Sequence, residues 1–134
     1  IYDPTSAGNE VASGRLAATA LGELGWDAGR IANVDDMIVA TAHHELGDAT
    51  TDQAVLFAAD LAVLAAEPAG YSDYMRNVRR EYAHVTDPDW VTGRSAVLRS
   101  FLGRAAIYAP ELGLGTWEQR ARGNLTAELE TLRD

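Results

Sequence analysis

The stretch DQAVLFAADLAVLAA, residues 52–66, decides the fold class of this chain. Its apolar side chains occupy more than one face of a helix, which is typical of a helix buried at the centre of a bundle. A polar turn signal at residues 45–50 precedes the stretch, and Pro68 and Gly70 follow it. We therefore predict one central helix over residues 52–66 that ends before Pro68.

Outward from this stretch, apolar residues recur at steps of three and four and predict further helices. The predicted ranges are 9–24, 29–44, 71–84, 87–103 and 116–132. The last of these begins with a capping-box pattern, Thr116-Trp117-Glu118-Gln119. No segment alternates apolar and polar residues as a strand does. The sequence predicts an all-α fold, a compact bundle of about six helices in a single domain over residues 1–134.

Composition and charge narrow the classes of function. Hydrophobic residues make up 47% and charged residues 23% of the chain, as in soluble globular proteins. Twenty acidic residues against 11 basic ones give a net charge of -9, which argues against nucleic-acid polymers and anionic membranes as partners. Without cysteine, disulfides, thiolate metal sites and a cysteine nucleophile are excluded. No apolar run is long enough to span a membrane, and the cytoplasm is the default compartment.

Two charged residues have apolar neighbours on both adjacent turns of their predicted helices. The neighbours are Leu56, Phe57, Val63 and Leu64 for Asp60, and Trp90, Val91, Val97 and Leu98 for Arg94. We expect both side chains to be buried and therefore paired, because a lone buried charge costs several kcal/mol. They can form a structural salt bridge with each other or with helix caps. Alternatively, Asp60 is a metal ligand supported by His43 or His44, of which at most one can face the site.

Several short motifs, read in order along the chain, resemble one known family. They are Tyr2-Asp3-Pro4, Asn9-Glu10, residues 40–44 (ATAHH), residues 59–64 (ADLAVL), residues 81–85 (EYAHV), Gly93-Arg94, residues 101–104 (FLGR) with Ile107-Tyr108, and residues 121–125 (ARGNL). Together they resemble a bacterial branch of the HD-domain metal-dependent phosphohydrolases. The resemblance spans the whole chain and rests on the order and spacing of the motifs.

The resemblance implies a helical bundle in which a divalent metal is held by a His, a His-Asp dipeptide and a later Asp. The later Asp corresponds to Asp60, and the metal would be Mn, Fe, Co, Ni, Zn or Mg. No His-Asp dipeptide occurs in these 134 residues. The resemblance places it immediately before Ile1, with the first His a helix further upstream. We therefore expect this chain to be the C-terminal part of a longer domain and to be inactive by itself.

The resemblance also suggests roles for other residues. Glu10 would orient water or act as a general acid, although a first-turn helix glutamate explains it equally well. His44 would donate to a phosphate oxygen, and Arg94 and Arg104 would bind substrate phosphate. The implied activity is hydrolysis of a small phosphate ester or anhydride, above all of a nucleotide, by metal-activated water. A homodimer is an open alternative for its assembly. The competing function is a non-catalytic helical scaffold or interaction module.

Overall fold

The computed structural model describes residues 1–3 and 7–133, and the regular secondary structure within these residues is helical, with no strand. The α-helices are α1 (Asn9–Glu23), α2 (Ala28–Ala40), α3 (Thr51–Asp60), α4 (Pro68–Glu81), α5 (Asp87–Leu102) and α6 (Gly115–Thr131). Two short 3₁₀ helices, Leu61–Ala65 and Pro110–Leu112, lie between them. The all-α prediction is confirmed. The chain divides into two compact units, residues 1–57 and 58–134, which we describe in turn.

In the first unit, α1 and α2 are joined by a connection of four residues and pack against each other. Asp27 caps α2 by accepting hydrogen bonds from the backbone N–H groups of Gly29 and Arg30. Gly14 is the one buried residue of α1, and a β-carbon there would overlap the Asp35 carboxylate of α2. The missing side chain of Gly14 therefore leaves room for the Asp35 carboxylate to lie against α1.

The second predicted helix is too long at its C-terminal end. Helix α2 ends at Ala40, whereas the periodicity predicts a helix to His44. The N–H groups of Thr41, Ala42 and His43 donate to carbonyls three residues back, which tightens the chain into 3₁₀-type turns. His44 then has a positive φ of 50°, which no α-helix contains. The His pair therefore lies in the turn that follows α2.

The second unit has its core around the 3₁₀ helix Leu61–Ala65. Helices α4 and α6 contact this segment directly, and α5 packs against α6. The fully buried side chains of the core include Leu98, Ala121 and Leu125, each with no exposed surface. Arg120 and Asn124 of α6 donate to backbone carbonyls of residues 64–66, which satisfies the carbonyls at the end of the 3₁₀ helix.

Three predicted details of this unit are wrong. The segment 52–66 is an α-helix only to Asp60 and continues as 3₁₀ helix. The next helix is predicted to begin at Tyr71, but α4 begins at Pro68. Proline is tolerated there because the first residue of a helix does not need its N–H for a hydrogen bond within the helix. The capping box at Thr116 does not form, since α6 begins at Gly115 and has no side-chain cap. The prediction for α5 is confirmed, with Asp87 as its first residue and Gly103 at its C-terminal cap.

No single helix in the described part of the chain is long and apolar enough to cross a membrane. One bent pair, Thr51–Ala65 with Pro68–Glu81, meets the length and composition criteria only when its two members are taken together.

Candidate functional site

The second unit contains a cavity of about 270 Å³ that both charged residues singled out from the sequence help to line. Its lining comes from the end of α3, the following 3₁₀ helix, and helices α4, α5 and α6. Asp60 and Arg94 contribute the charged groups, and Tyr74 contributes a hydroxyl. The remaining lining residues are apolar: Leu61, Val63, Leu64, Val97, Leu98, Phe101 and Leu125. We treat this cavity as the candidate site.

Arg94 is buried in the middle of α5, as its apolar neighbours predict. Its carboxylate partner is Glu128 of α6. Nε of Arg94 lies 2.7 Å from Oε1 of Glu128, and Nη2 lies 3.0 Å from Oε2, so the pair is bidentate. This geometry satisfies both charges where little of either side chain is exposed. The Arg94 guanidinium is thus held by the protein itself.

Two tyrosines of α4 extend this pair into a network. The Tyr71 hydroxyl donates to Oε2 of Glu128 at 2.5 Å. The Tyr74 hydroxyl lies 3.5 Å from both Nη1 and Nη2 of Arg94, a weak contact at the edge of hydrogen-bond range. Nη1 has no closer partner among the hydrogen bonds of Arg94 in the described structure. The guanidinium edge near Tyr74 is therefore the part of Arg94 best placed to bind a ligand.

Burial and pairing set the charge states of the network. Burial raises the pKa of the Tyr71 hydroxyl, and the hydrogen bond to Glu128 and the charge of that carboxylate raise it further. Burial lowers the pKa of Arg94, but the hydrogen bond to Glu128 and the electrostatic effects of Tyr74 and Glu128 outweigh burial and raise it. Tyr71 therefore stays neutral and Arg94 stays charged over the physiological pH range.

The expected burial of Asp60 is wrong, because its side chain is exposed. The expectation assumes that Val63 and Leu64 follow Asp60 at α-helical angles of 100° per residue. The α-helix ends at Asp60, and the next five residues form a 3₁₀ helix, in which each residue advances by 120°. Asp60 consequently lies at the rim of the cavity, while Leu61 and Leu64 face the interior.

The other predicted site residues lie in different places. Arg104, just after α5, is half-buried, and its guanidinium lies over the ring of Phe101, 4.5 Å from the centroid. Phe101 lines the cavity, so Arg104 is close to it without lining it. Glu10 and His44 belong to the first unit. Glu10 is half-buried in the first turn of α1, and His44 makes an edge contact of 5.3 Å with the ring of Phe57.

His43 and His44 have different surroundings. His43, together with Glu45, Asp48 and Gln53, lines a cavity of about 280 Å³ in the first unit, which His44 does not line. The prediction that at most one of the two supports a metal at Asp60 stays a prediction.

A complete metal site is absent from residues 1–3 and 7–133, since no group of three or more His, Cys, Asp or Glu side chains is placed to hold an ion. Asp60 supplies a single exposed carboxylate. The described residues therefore do not by themselves fit the metal centre that the resemblance implies. Asp60 could serve only as one ligand of a larger set.

Sequence reasoning missed Glu128, the residue that organises the site. A signal for it exists, because Glu128 lies three residues after Leu125 and four before Leu132 on the apolar stripe of α6. Its other neighbours at these steps, Asn124 and Thr131, are polar and obscure the pattern. Tyr71 and Tyr74 lie three residues apart within the helix predicted over residues 71–84, but nothing local indicates what their hydroxyls bind.

Comparison with protein-family models, with curated proteins and with solved structures yielded no match for this chain. The resemblance to the HD-domain phosphohydrolases rests on the sequence motifs alone and stays a prediction.

Proposed function

We propose that this chain is part of a metal-dependent phosphohydrolase of the HD type that acts on a small phosphate ester or anhydride, such as a nucleotide, in the cytoplasm. The observation that carries the proposal is that Asp60 and Arg94 line the same cavity, together with the Tyr74 hydroxyl. A carboxylate suits a hard divalent cation, and guanidinium and hydroxyl donors suit phosphate oxygens. Phosphoryl chemistry needs these two kinds of group close together.

Asp60 is proposed as one ligand of the metal. The resemblance places the remaining ligands, a His and a His-Asp dipeptide, before Ile1, so the proposal concerns a protein that carries them. Asp60 and those upstream ligands would hold the divalent ion, and the chemistry that the ion would supply is activation of a water for attack on phosphorus. The exposure of Asp60 at the cavity rim supports the role, because its carboxylate is accessible to an ion from solvent.

Arg94 is proposed to bind substrate through hydrogen bonds rather than through net charge. Its bidentate pairing with Glu128 leaves the pair neutral and fixes the orientation of the guanidinium. Arg104 adds a positive charge beside the cavity wall through its contact with Phe101. The roles of Glu10 as general acid and His44 as phosphate-oxygen donor are supported by the resemblance alone.

The test uses the protein at its native length and matched carboxamide variants. Hydrolysis of a nucleotide panel and of 4-nitrophenyl phosphate is measured with Mn²⁺ and with Co²⁺. Asp60→Asn should lower metal-dependent turnover by about 100-fold or more, since loss of a ligand exceeds the effect of its outer-shell partners. Asp52→Asn, at an exposed carboxylate on the same helix, should leave turnover unchanged. No turnover on any substrate, or equal turnover in the two variants, would contradict the proposal.

The second candidate function is a non-catalytic helical scaffold or interaction module. Exposed apolar side chains in the first unit favour it: Leu24 is 74% exposed and Leu16 is 58% exposed. Such side chains are available to a partner surface. Titration calorimetry with Mn²⁺ separates the candidates, because a scaffold binds no ion through Asp60. Equal Mn²⁺ affinities for wild type and Asp60→Asn would favour the scaffold.

A further inference from the structure

The cavity at Asp60 and Arg94 is an apolar chamber with an open rim. Its deepest walls are leucines that are at most 7% exposed: Leu61, Leu64, Leu98 and Leu125. Its rim is formed by exposed side chains: Asp60, Val63 and Val97. A ligand that enters past the rim therefore meets hydrocarbon on most sides.

The charges inside the cavity cancel. Arg94 is the charged group of the interior wall, and its guanidinium is matched by the Glu128 carboxylate at 2.7 and 3.0 Å. An anion drawn into this chamber would lose its hydration without gaining a net positive charge, which is unfavourable. A neutral ring carries no such penalty. The polar groups that remain available to it are the Tyr74 hydroxyl and the adjacent N–H edge of Arg94.

The size of the cavity sets the size of the ligand. An engineered apolar cavity of about 150 Å³ in another protein stays dry and binds benzene. The present cavity, at about 270 Å³, has room for one ring with a small substituent. It lies slightly below the range of about 300–1,000 Å³ typical of sites for drug-sized ligands. Two fused rings carrying a sugar would exceed it.

We infer that this cavity binds a small neutral aromatic group that carries one oxygen, with that oxygen at Tyr74 and Arg94. This extension rests on the proposed function: where that holds, the ring's own hydroxyl lies at Tyr74 and Arg94, and a second oxygen of the ring joins it to a phosphate that stays at the Asp60 rim. The preferred substrates are then esters of small aromatic alcohols rather than nucleotides. Binding of the ring itself requires no metal and no turnover.

The test measures binding of phenol to the full chain by titration calorimetry in EDTA. Val97→Trp places an indole at the rim, and Val91→Trp is the matched control. Both valines belong to α5, with 44% and 36% of their surface exposed, and Val91 does not line the cavity. Wild type and Val91→Trp should bind phenol with equal, millimolar affinity, and Val97→Trp should bind it at least 10-fold more weakly. Circular dichroism verifies that both variants fold.

A second variant tests the polar contact without changing the shape of the cavity. Tyr74→Phe should weaken phenol binding by about 2- to 10-fold, the effect of one hydrogen bond, and should leave benzene binding unchanged. Absence of saturable phenol binding to wild type, or equal binding by the Val97 and Val91 variants, would overturn the inference. Because the assay has no metal and no turnover, phenol binding without hydrolysis would sink only the proposed function. Hydrolysis without phenol binding would sink only this inference.

Discussion

The buried ion pair between Arg94 and Glu128 allows a quantitative test of the structure. Replacing Glu128 with leucine keeps the side-chain volume similar but removes the carboxylate. Arg94, 9% exposed, then retains only its 3.5 Å contact with Tyr74, and the Tyr71 hydroxyl loses its acceptor at 2.5 Å. The substitution therefore strands one buried charge and one buried hydroxyl at the same time.

The expected loss of stability follows from the two buried groups that lose their hydrogen-bond partner. Removing one partner of a buried ion pair destabilises a protein by about 3–5 kcal/mol. Total stabilities are about 5–15 kcal/mol, so Glu128→Leu should remove a large share. For a chain of this length the melting temperature should fall by about 10–20 °C. Arg94→Met in the same background removes the stranded guanidinium, so the double variant should lose only about 1–3 kcal/mol relative to wild type, mostly for the Tyr71 hydroxyl.

The assay is urea unfolding followed by far-ultraviolet circular dichroism for wild type, the two single variants and the double variant. The control is an ion pair on α4, Arg76 with Asp73, whose side chains are 68% and 63% exposed. The arginine is again replaced by methionine and the carboxylate residue by leucine, as Arg76→Met and Asp73→Leu. That pair should contribute less than about 1 kcal/mol. The reasoning is refuted if Glu128→Leu costs less than about 1 kcal/mol. It is equally refuted if the Arg94 and Glu128 substitutions are additive, because the two side chains would then not be coupled.

Two further predictions concern the packing of α1 and the titration of a buried tyrosine. Gly14→Ala should change the stability by less than about 0.5 kcal/mol in urea unfolding, because rotation of the Asp35 carboxylate away from the new β-carbon offsets the higher helix propensity of alanine. Gly22→Ala, on the same helix with open space around it, should stabilise by about 0.5–1 kcal/mol; equal effects would contradict the contact between Gly14 and Asp35. Burial, with the nearby Glu118 charge, raises the pKa of Tyr108 from 10.0 to about 12. The stability advantage of wild type over Tyr108→Phe should therefore be complete below pH 10 and should shrink as the pH rises towards 12. A difference in urea midpoints that stays constant across this pH range would disprove the raised pKa.

The hydrogen bonds of Tyr108 and of the neighbouring Glu118 could not be predicted from local sequence patterns. Its hydroxyl donates to the Leu61 carbonyl at 2.9 Å, and Glu118 accepts from the backbone N–H groups of Ile107 and Tyr108. The predicted capping box pairs Thr116 with Gln119, so the local pattern gives Glu118, which lies between them, no partner at all. Which N–H groups donate to Glu118 depends on which loop the tertiary structure places beside it.

The helical class of this protein and most of its helices follow from local patterns in the sequence. Apolar residues at steps of three and four are a local property of the chain, so the extents of α1 and α5 follow from them to within a residue or so. The same argument places Arg94 on a buried face. These features depend on neighbours within one or two turns, which the linear order already specifies.

How the site is assembled depends on contacts between distant segments. Glu128 is 34 residues from Arg94, and no local pattern indicates which carboxylate will meet a buried guanidinium. The exposure of Asp60 depends on the change from α to 3₁₀ helix after it, which accompanies packing of residues 61–65 against α4 and α6. Periodicity predicts which face of a helix is apolar. It does not predict which partner that face finds, because pairing depends on the three-dimensional arrangement of distant segments.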